Sequence, residues 1–314
     1  MHRRNALILG GLAATALVTG CGGSDDPAPG TSSKDIVELA QSTADLSTLA
    51  EAVVAASLVD TLKSAGPFTV FAPTNAAFAA LLTELGLTKA QLLADTALLR
   101  TVLTYHVLPT KVERAQIGLG EPITPFQGGI FKIETPGGAL TITDGRNRTS
   151  RILTTDIQAK NGVVHIIDKV ILPANKNIVE TAQGLPDFSV LVEAVVAANL
   201  QSTLAGPGPF TVFAPTNAAF TALLAELGIT KAALLANTAL LDKVLKYHVV
   251  PGTVLKVDVP VNTPITTAQG ETLSVSANFV ITDQRARTSN ITATDVLTSN
   301  GVIHAVDKVI LPSP

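Results

Sequence analysis

Apolar residues recur along the chain with two different periods, and each half of it changes from one period to the other in the same way. In residues 45–54, Leu46, Leu49, Val53 and Val54 follow helical spacing behind Asp45, a residue type suited to an N-cap. Residues 68–72 form a short apolar run closed by Pro73, which predicts a buried strand. Thr74 and Asn75 then predict a strand-to-helix turn, with the helix running to Leu85 and ending at Gly86. Thr88 and Gln91 have the spacing of a capping box, and Asp95 predicts a helix reaching about Thr104. From Val107 the period becomes two. Phe131, Ile133 and Thr135 alternate, Leu140 and Ile142 follow, and two apolar stretches surround His165 and Val170. Pro136-Gly137-Gly138 falls where a hairpin turn is expected.

The pattern is written twice. Residues 67–78 recur unchanged at 209–220, a spacing of 142. Tyr105-His106-Val107 answers to Tyr247-His248-Val249. Past the Pro136-Gly137-Gly138 turn, which the second copy lacks, the spacing is 139: Asp144 answers to Asp283, and Asn161-Gly162-Val163-Val164-His165 to Asn300-Gly301-Val302-Ile303-His304. Asp168 to Pro173 returns as Asp307 to Pro312. That spacing is the size of a whole domain and too long for a solenoid unit. The reading is one module at 34–173 and a second at 176–314, joined by so short a connector that their relative orientation is restricted. Two similar surfaces would gain by linkage on a repetitive target.

The first residues give an expected address. Arg3-Arg4 precedes an apolar run at 6–18, too short for a spanning helix and right for a secretory signal. The run ends in Val18-Thr19-Gly20-Cys21, which resembles a bacterial lipobox, so residues 1–21 are expected to be a lipoprotein signal with Cys21 lipidated. Residues 22–33 are polar and small, as in a disordered tether. The expected location is a bacterial membrane, facing the periplasm or the exterior. Cys21 is the single cysteine, which excludes an intrachain disulfide. The formal net charge of −3 gives no electrostatic reason to expect nucleic acid.

Three blocks in fixed order, each present twice, resemble the fasciclin domain family: Thr-Val-Phe-Ala-Pro-Thr-Asn-Ala-Ala-Phe, the Tyr-His pair, and Asn-Gly-Val-Val/Ile-His with Asp-Lys-Val-Ile-Leu-Pro. The resemblance implies an α+β fold of two tandem domains, each a β-wedge or sandwich packed against a helical layer. It also implies non-enzymatic adhesion or matrix binding, with a cell-surface or matrix protein or polysaccharide as partner and homophilic contact as one form of it. The family's adhesive positions fall here on Tyr105 and His106, Asp156 and Ile157, and in the second copy on Tyr247 and His248, Asp295 and Val296. For the Tyr-His pairs the residues themselves favour a structural role, and for the Asp positions a turn-capping one.

Other candidate chemistry is sparse. Arg146, Arg148 and Arg151 cluster after Asp144, and Arg285 and Arg287 after Asp283. Such loops could hold an acidic polysaccharide, the alternative function, or could be solvated hairpin edges. The absence of Trp and the presence of just two Tyr weaken a sugar-stacking site. His165 and Asp168 lie three apart on an expected strand and so face opposite ways, which favours a core histidine over a catalytic or metal pair. No cofactor or metal is expected. A hydrolase with a triad scattered through the sequence stays open as a second alternative, because triads are set by geometry. Asn147 and Asn290 head glycosylation sequons, read as accidental in a bacterial protein.

Overall fold

Phe68–Pro73, all six residues buried, is the strand on which the first half is assembled. It pairs in parallel with Gly162–Ile167, from Phe68 opposite Gly162 to Pro73 opposite Ile167. The remaining strands extend this pair into a six-stranded sheet, in the order Val107–Leu108, Phe68–Pro73, Gly162–Ile167, Thr149–Ala159, Thr141–Thr143, Lys132–Glu134. The second half repeats the arrangement around Phe210–Pro215 and Gly301–Val306, with a seventh strand, Pro264–Thr266, at the edge. The computed structural model describes residues 32–314; the expected signal, Cys21 and all of the expected tether but its last two residues lie outside the described residues.

Because alternate residues of a strand face opposite sides, the central strand serves two cores. Phe68, Val70 and Ala72 pack with Leu46, Leu49, Val53, Phe78 and Leu99 of the helical layer. Phe71 points the other way, into Tyr105, Phe131, Ile133, Ile142 and Ile167 inside the sheet. This is the expected α+β architecture, a β-wedge packed against helices. Gly162 is required by close approach: a Cβ there would run into the carbonyl oxygen of Phe68.

The expected helix starts hold with one exception. Thr74 accepts from the Ala77 amide at 3.1 Å and opens Asn75–Leu85, which Gly86 ends at φ +65°. Thr88 and Gln91 form the capping box, and Asp95 caps Thr96–Tyr105. Asp45, however, caps nothing; it sits inside a short 3₁₀ turn, Ala44–Leu46. The helix behind it, Ser47–Ala55, is capped from another element, by Asn75, whose Oδ1 accepts from the Thr48 amide at 2.9 Å while its Nδ2 donates to the Ala44 carbonyl. Asn217 does the same for Ser189–Ala197.

Asn161 ties three segments together. Its Oδ1 accepts from the Ile36 amide, and its Nδ2 donates to the carbonyls of Leu62 and Ser64. Asn300 repeats all three functions with Ile178, Leu204 and Gly206. The connector is fixed at both ends. The Pro173 carbonyl accepts from Arg146 Nε at 3.3 Å, and the Lys176 carbonyl from the Ser299 amide at 2.8 Å.

Residues 32–314 form one compact unit, and specific contacts join the halves. Lys132 Nζ lies 2.9 Å from Asp295 Oδ2, with both side chains almost fully buried, and also reaches Glu134 at 3.1 Å. Asn147 makes a two-way bond with the backbone of Leu297, at 2.7 and 3.0 Å. Ile130 packs on Leu255, Leu297 and Val302 of the second half. Replacing Lys132 by Met leaves the Asp295 carboxylate buried without its cation, and we expect a loss of about 3 kcal/mol in chemical denaturation. Adding Asp295→Asn should recover most of it; equal stability of Lys132→Met and the parent chain would show that the pair does not hold the halves.

Burial also sets a pH dependence. His106 and His248 are held down at about 4 from an ordinary 6.5, chiefly by burial. The Ile171 amide donates to His106 Nε2 while Nδ1 faces the Val102 carbonyl, so only the neutral ring fits. The folded value lies below the unfolded one. Stability is therefore complete above about pH 6.5 and falls as pH drops toward 4, by about 3 kcal/mol for each histidine. Urea midpoints measured from pH 7 to 4 should fall, and less steeply in His106→Gln; an unchanged slope in that variant would contradict this origin.

Candidate functional site

The residues singled out by sequence separate into two groups. Tyr105, His106, Tyr247 and His248 are in the core, each exposed by no more than 1%. Tyr105 Oη donates to the Ile130 carbonyl at 2.6 Å and accepts from the Gly145 amide, and burial raises its pKa far above the ordinary value. Tyr247 Oη donates to the Thr272 carbonyl. These pairs fasten helix ends to the sheet and are buried. His165 and His304 are fully buried as well. Among the described residues, both ring nitrogens of every histidine meet backbone groups: in His165, Nδ1 accepts from the Asp156 amide and Nε2 donates to the Val112 carbonyl. None is left to activate a hydroxyl. No group of three or more His, Cys, Asp or Glu among the described residues could hold a metal ion.

Asp156 and Asp295 form the second group, and here the copies diverge. Both sit at a register shift of the long strand, both have φ +61°, and both donate their amide to the buried histidine at 3.2 Å. A positive φ at a non-glycine residue is sparsely populated and is held here by that bond and by the bulge. Asp156 Oδ1 accepts from the Arg114 amide at 2.8 Å, and Asp295 Oδ1 from the Lys256 amide at 2.7 Å. The carboxylates differ in the other oxygen. Asp295 Oδ2 is taken by Lys132 of the first half, whereas Asp156 is half-buried and has no cation at ion-pair distance among the described residues.

The surroundings differ accordingly. Leu255, Leu297 and Val302, buried beneath Ile130, correspond to Glu113, Gln158 and Val163 in the first copy. Glu113 pairs with Lys111 at 2.9 Å and accepts from Gln158 at 3.4 Å, giving a polar, open face. Ile157 is partly buried against the helical core, as is Val296. The expectation of two equivalent faces is corrected: the one at Asp295 is consumed in holding the halves together.

The arginine loops are not the free edges that sequence allowed. Asp144, 1% exposed, accepts from the amides of Arg146, Arg148 and Leu172 and from the guanidinium of Arg148 at 2.8 Å. Arg148 also grips both oxygens of Glu84 at 2.8 Å and donates to the Val170 carbonyl. Arg287 pairs with Glu226. Both arginines bolt the loop to the helix beside it. Arg151 is exposed, Arg285 donates Nε to the Pro312 carbonyl, and Arg146 faces the connector. Asn147, head of a sequon, is engaged by Leu297, and Asn290 donates to Asp307 at 2.6 Å.

Known proteins resemble this chain over most of its length. The chain is 31% identical over 256 residues to transforming growth factor-beta-induced protein ig-h3 of Sus scrofa, covering 80% of this chain and 35% of that protein, so it spans about a third of that relative's length. Protein sll1483 of Synechocystis is 43% identical over 147 residues, 45% of this chain and 75% of its own. A solved domain pair from the insect cell adhesion molecule Fasciclin I covers 85% of this chain and 97% of that one, at 18% identity and a TM-score of 0.44. The fasciclin domain profile matches residues 44–173 and again 186–312, one match on each sheet and its helical layer. The chain therefore belongs to the fasciclin domain family, with two tandem copies of the domain.

Proposed function

We propose that this protein is an exported, lipid-anchored adhesion or matrix-binding protein that engages its partner through the Asp156 face of its first domain. The observation that carries this reading is the pair of matched aspartates. Asp156 and Asp295 have one backbone geometry and one set of internal bonds, and at Asp295 the remaining oxygen already holds a lysine from a neighbouring protein surface. The same face in the first domain is open and carries Glu113 and Gln158 where the docked one carries leucines. Its partner would be a polar, lysine-bearing protein surface. Such a contact gains from charge pairing at a half-buried carboxylate, which is worth more than a fully exposed pair.

The family's adhesive role supports this class of function. The hydrolase alternative gains nothing from the described histidines, whose nitrogens are occupied by backbone. Anchoring rests on the lipobox-like Val18-Thr19-Gly20-Cys21, with residues 22–33 as a spacer. Among the described residues no helix is long and apolar enough to cross a membrane.

Two experiments test the two halves of the proposal. Cys21→Ser should release the protein from the membrane fraction, and retention of that variant after a high-salt wash would refute the anchor. For adhesion, beads coated with the protein should bind matrix-coated surfaces, with attachment falling roughly tenfold in Asp156→Lys, as for the loss of a charge-assisted contact. Arg151→Ser, altered at an exposed position nearby on the same strand, should attach as the parent does. Undiminished attachment of Asp156→Lys would remove this face from the function.

A further inference from the structure

A cavity of about 540 Å³ opens where the two domains meet, within the size range of small-molecule sites. Its lining includes Arg146, Asn175, Lys176, Thr181, Leu185 and Leu297, and no Asp or Glu. For a protein of net charge −3, a cleft with two cations and no carboxylate is a local reversal of sign.

The two cations are fixed differently from the other basic groups of the loop. Arg148 is spent on Asp144 and Glu84. Arg146 is oriented by its Nε bond to the Pro173 carbonyl, and its terminal nitrogens have no hydrogen-bond or ion-pair partner among the described residues. Burial and then the like charge of Arg148 act against its cation and outweigh the nearby charges of Asp144 and Glu84, so a further anion in direct contact would stabilise it. Lys176 has its backbone clamped by Ser299, and its ammonium has no carboxylate at ion-pair distance among the described residues. The walls are held in place by the Asn147–Leu297 bonds, so the cleft is formed before any ligand arrives. Leu185 and Val296 supply an apolar wall, while Thr181 and Asn175 supply hydroxyl and amide groups.

We infer that this interdomain cleft binds one acidic sugar unit, its carboxylate or sulfate held between Arg146 and Lys176 and its ring laid against Leu185 and Val296. A planar guanidinium and an ammonium each form charge-assisted bonds with an anion. The cleft is composite, built from the loop of one domain and the first helix of the next. Arg285, on the corresponding loop of the second domain, does not line it. The inference stands apart from the Asp156 face, which lies on a different strand and uses an anion in place of cations.

The test is calorimetric titration and thermal unfolding of the purified chain with a uronic-acid disaccharide, a sulfated disaccharide, a neutral disaccharide and inorganic sulfate. An acidic disaccharide should bind, raise the melting temperature and weaken with added salt, while the neutral one should not bind. Affinity should fall roughly tenfold in Arg146→Ser and in Lys176→Ser, the loss of one charge-assisted contact. It should be unchanged in Arg285→Ser and in Asp156→Lys, which separates this site from the adhesive face. If Arg146→Ser does not fold, Leu185→Trp, which fills the cleft, should abolish binding in its place. Equal binding of the neutral sugar, equal affinity for inorganic sulfate alone, or an equal loss in Arg285→Ser would overturn the assignment.

Discussion

The parallel pairing of Phe68–Pro73 with Gly162–Ile167 is the constraint to which the rest of each domain answers. It joins segments far apart in sequence, and it buries both faces of the central strand. A parallel pair cannot be closed by a tight turn, so everything between the two strands must leave, form the helices and outer strands, and return. Asn161, at the re-entry, satisfies three backbone groups that this return would otherwise leave unpaired in the interior. The bulge at Asp156 is a second consequence. The long strand Thr149–Ala159 must shift register to follow its partner, and the shift turns one aspartate outward with its amide bonded to the core histidine.

What sequence made legible was local. The caps at Thr74, Thr88 and Asp95 were visible because the donor and acceptor lie within one turn of each other. The strand alternation around Phe131 and Ile133 was visible because period two is set by the backbone. Asp45 failed as a cap for the opposite reason: Asn75 takes the position, and proximity through the fold leaves no mark in the spacing. The same holds for Arg148, whose partners Glu84 and Val170 lie on other elements. Lys132 is the sharpest case. On an alternating strand it occupies the polar phase and would be read as solvent-facing, yet the neighbouring domain buries it.

The repeat itself concealed the division of labour between the copies. Sequence identity is highest at residues 67–78 and 209–220, which build the core, and the residues that distinguish the domains sit on outer faces. Glu113 and Gln158 against Leu255 and Leu297 are ordinary surface variation until the contact is seen. One scaffold thus carries the same aspartate in two states, one sealed by a lysine within the chain and one open.

The contact between the domains is head to tail: it joins the Ile130, Lys132 and Asn147 surface of one to the Leu255, Asp295 and Leu297 surface of the other. A heterologous contact of this kind does not close on itself, and any surface able to make it once could make it again, giving a growing filament. Here neither end finds its match on another copy of the chain. The leading end would need the partners of Ile130, Lys132 and Asn147 in the second domain, where Thr272, Ser274 and Ala286 stand instead. The trailing end meets Glu113 and Gln158 where apolar cover would be required. Copies of this chain therefore do not extend the domain pair into a fibre through this contact.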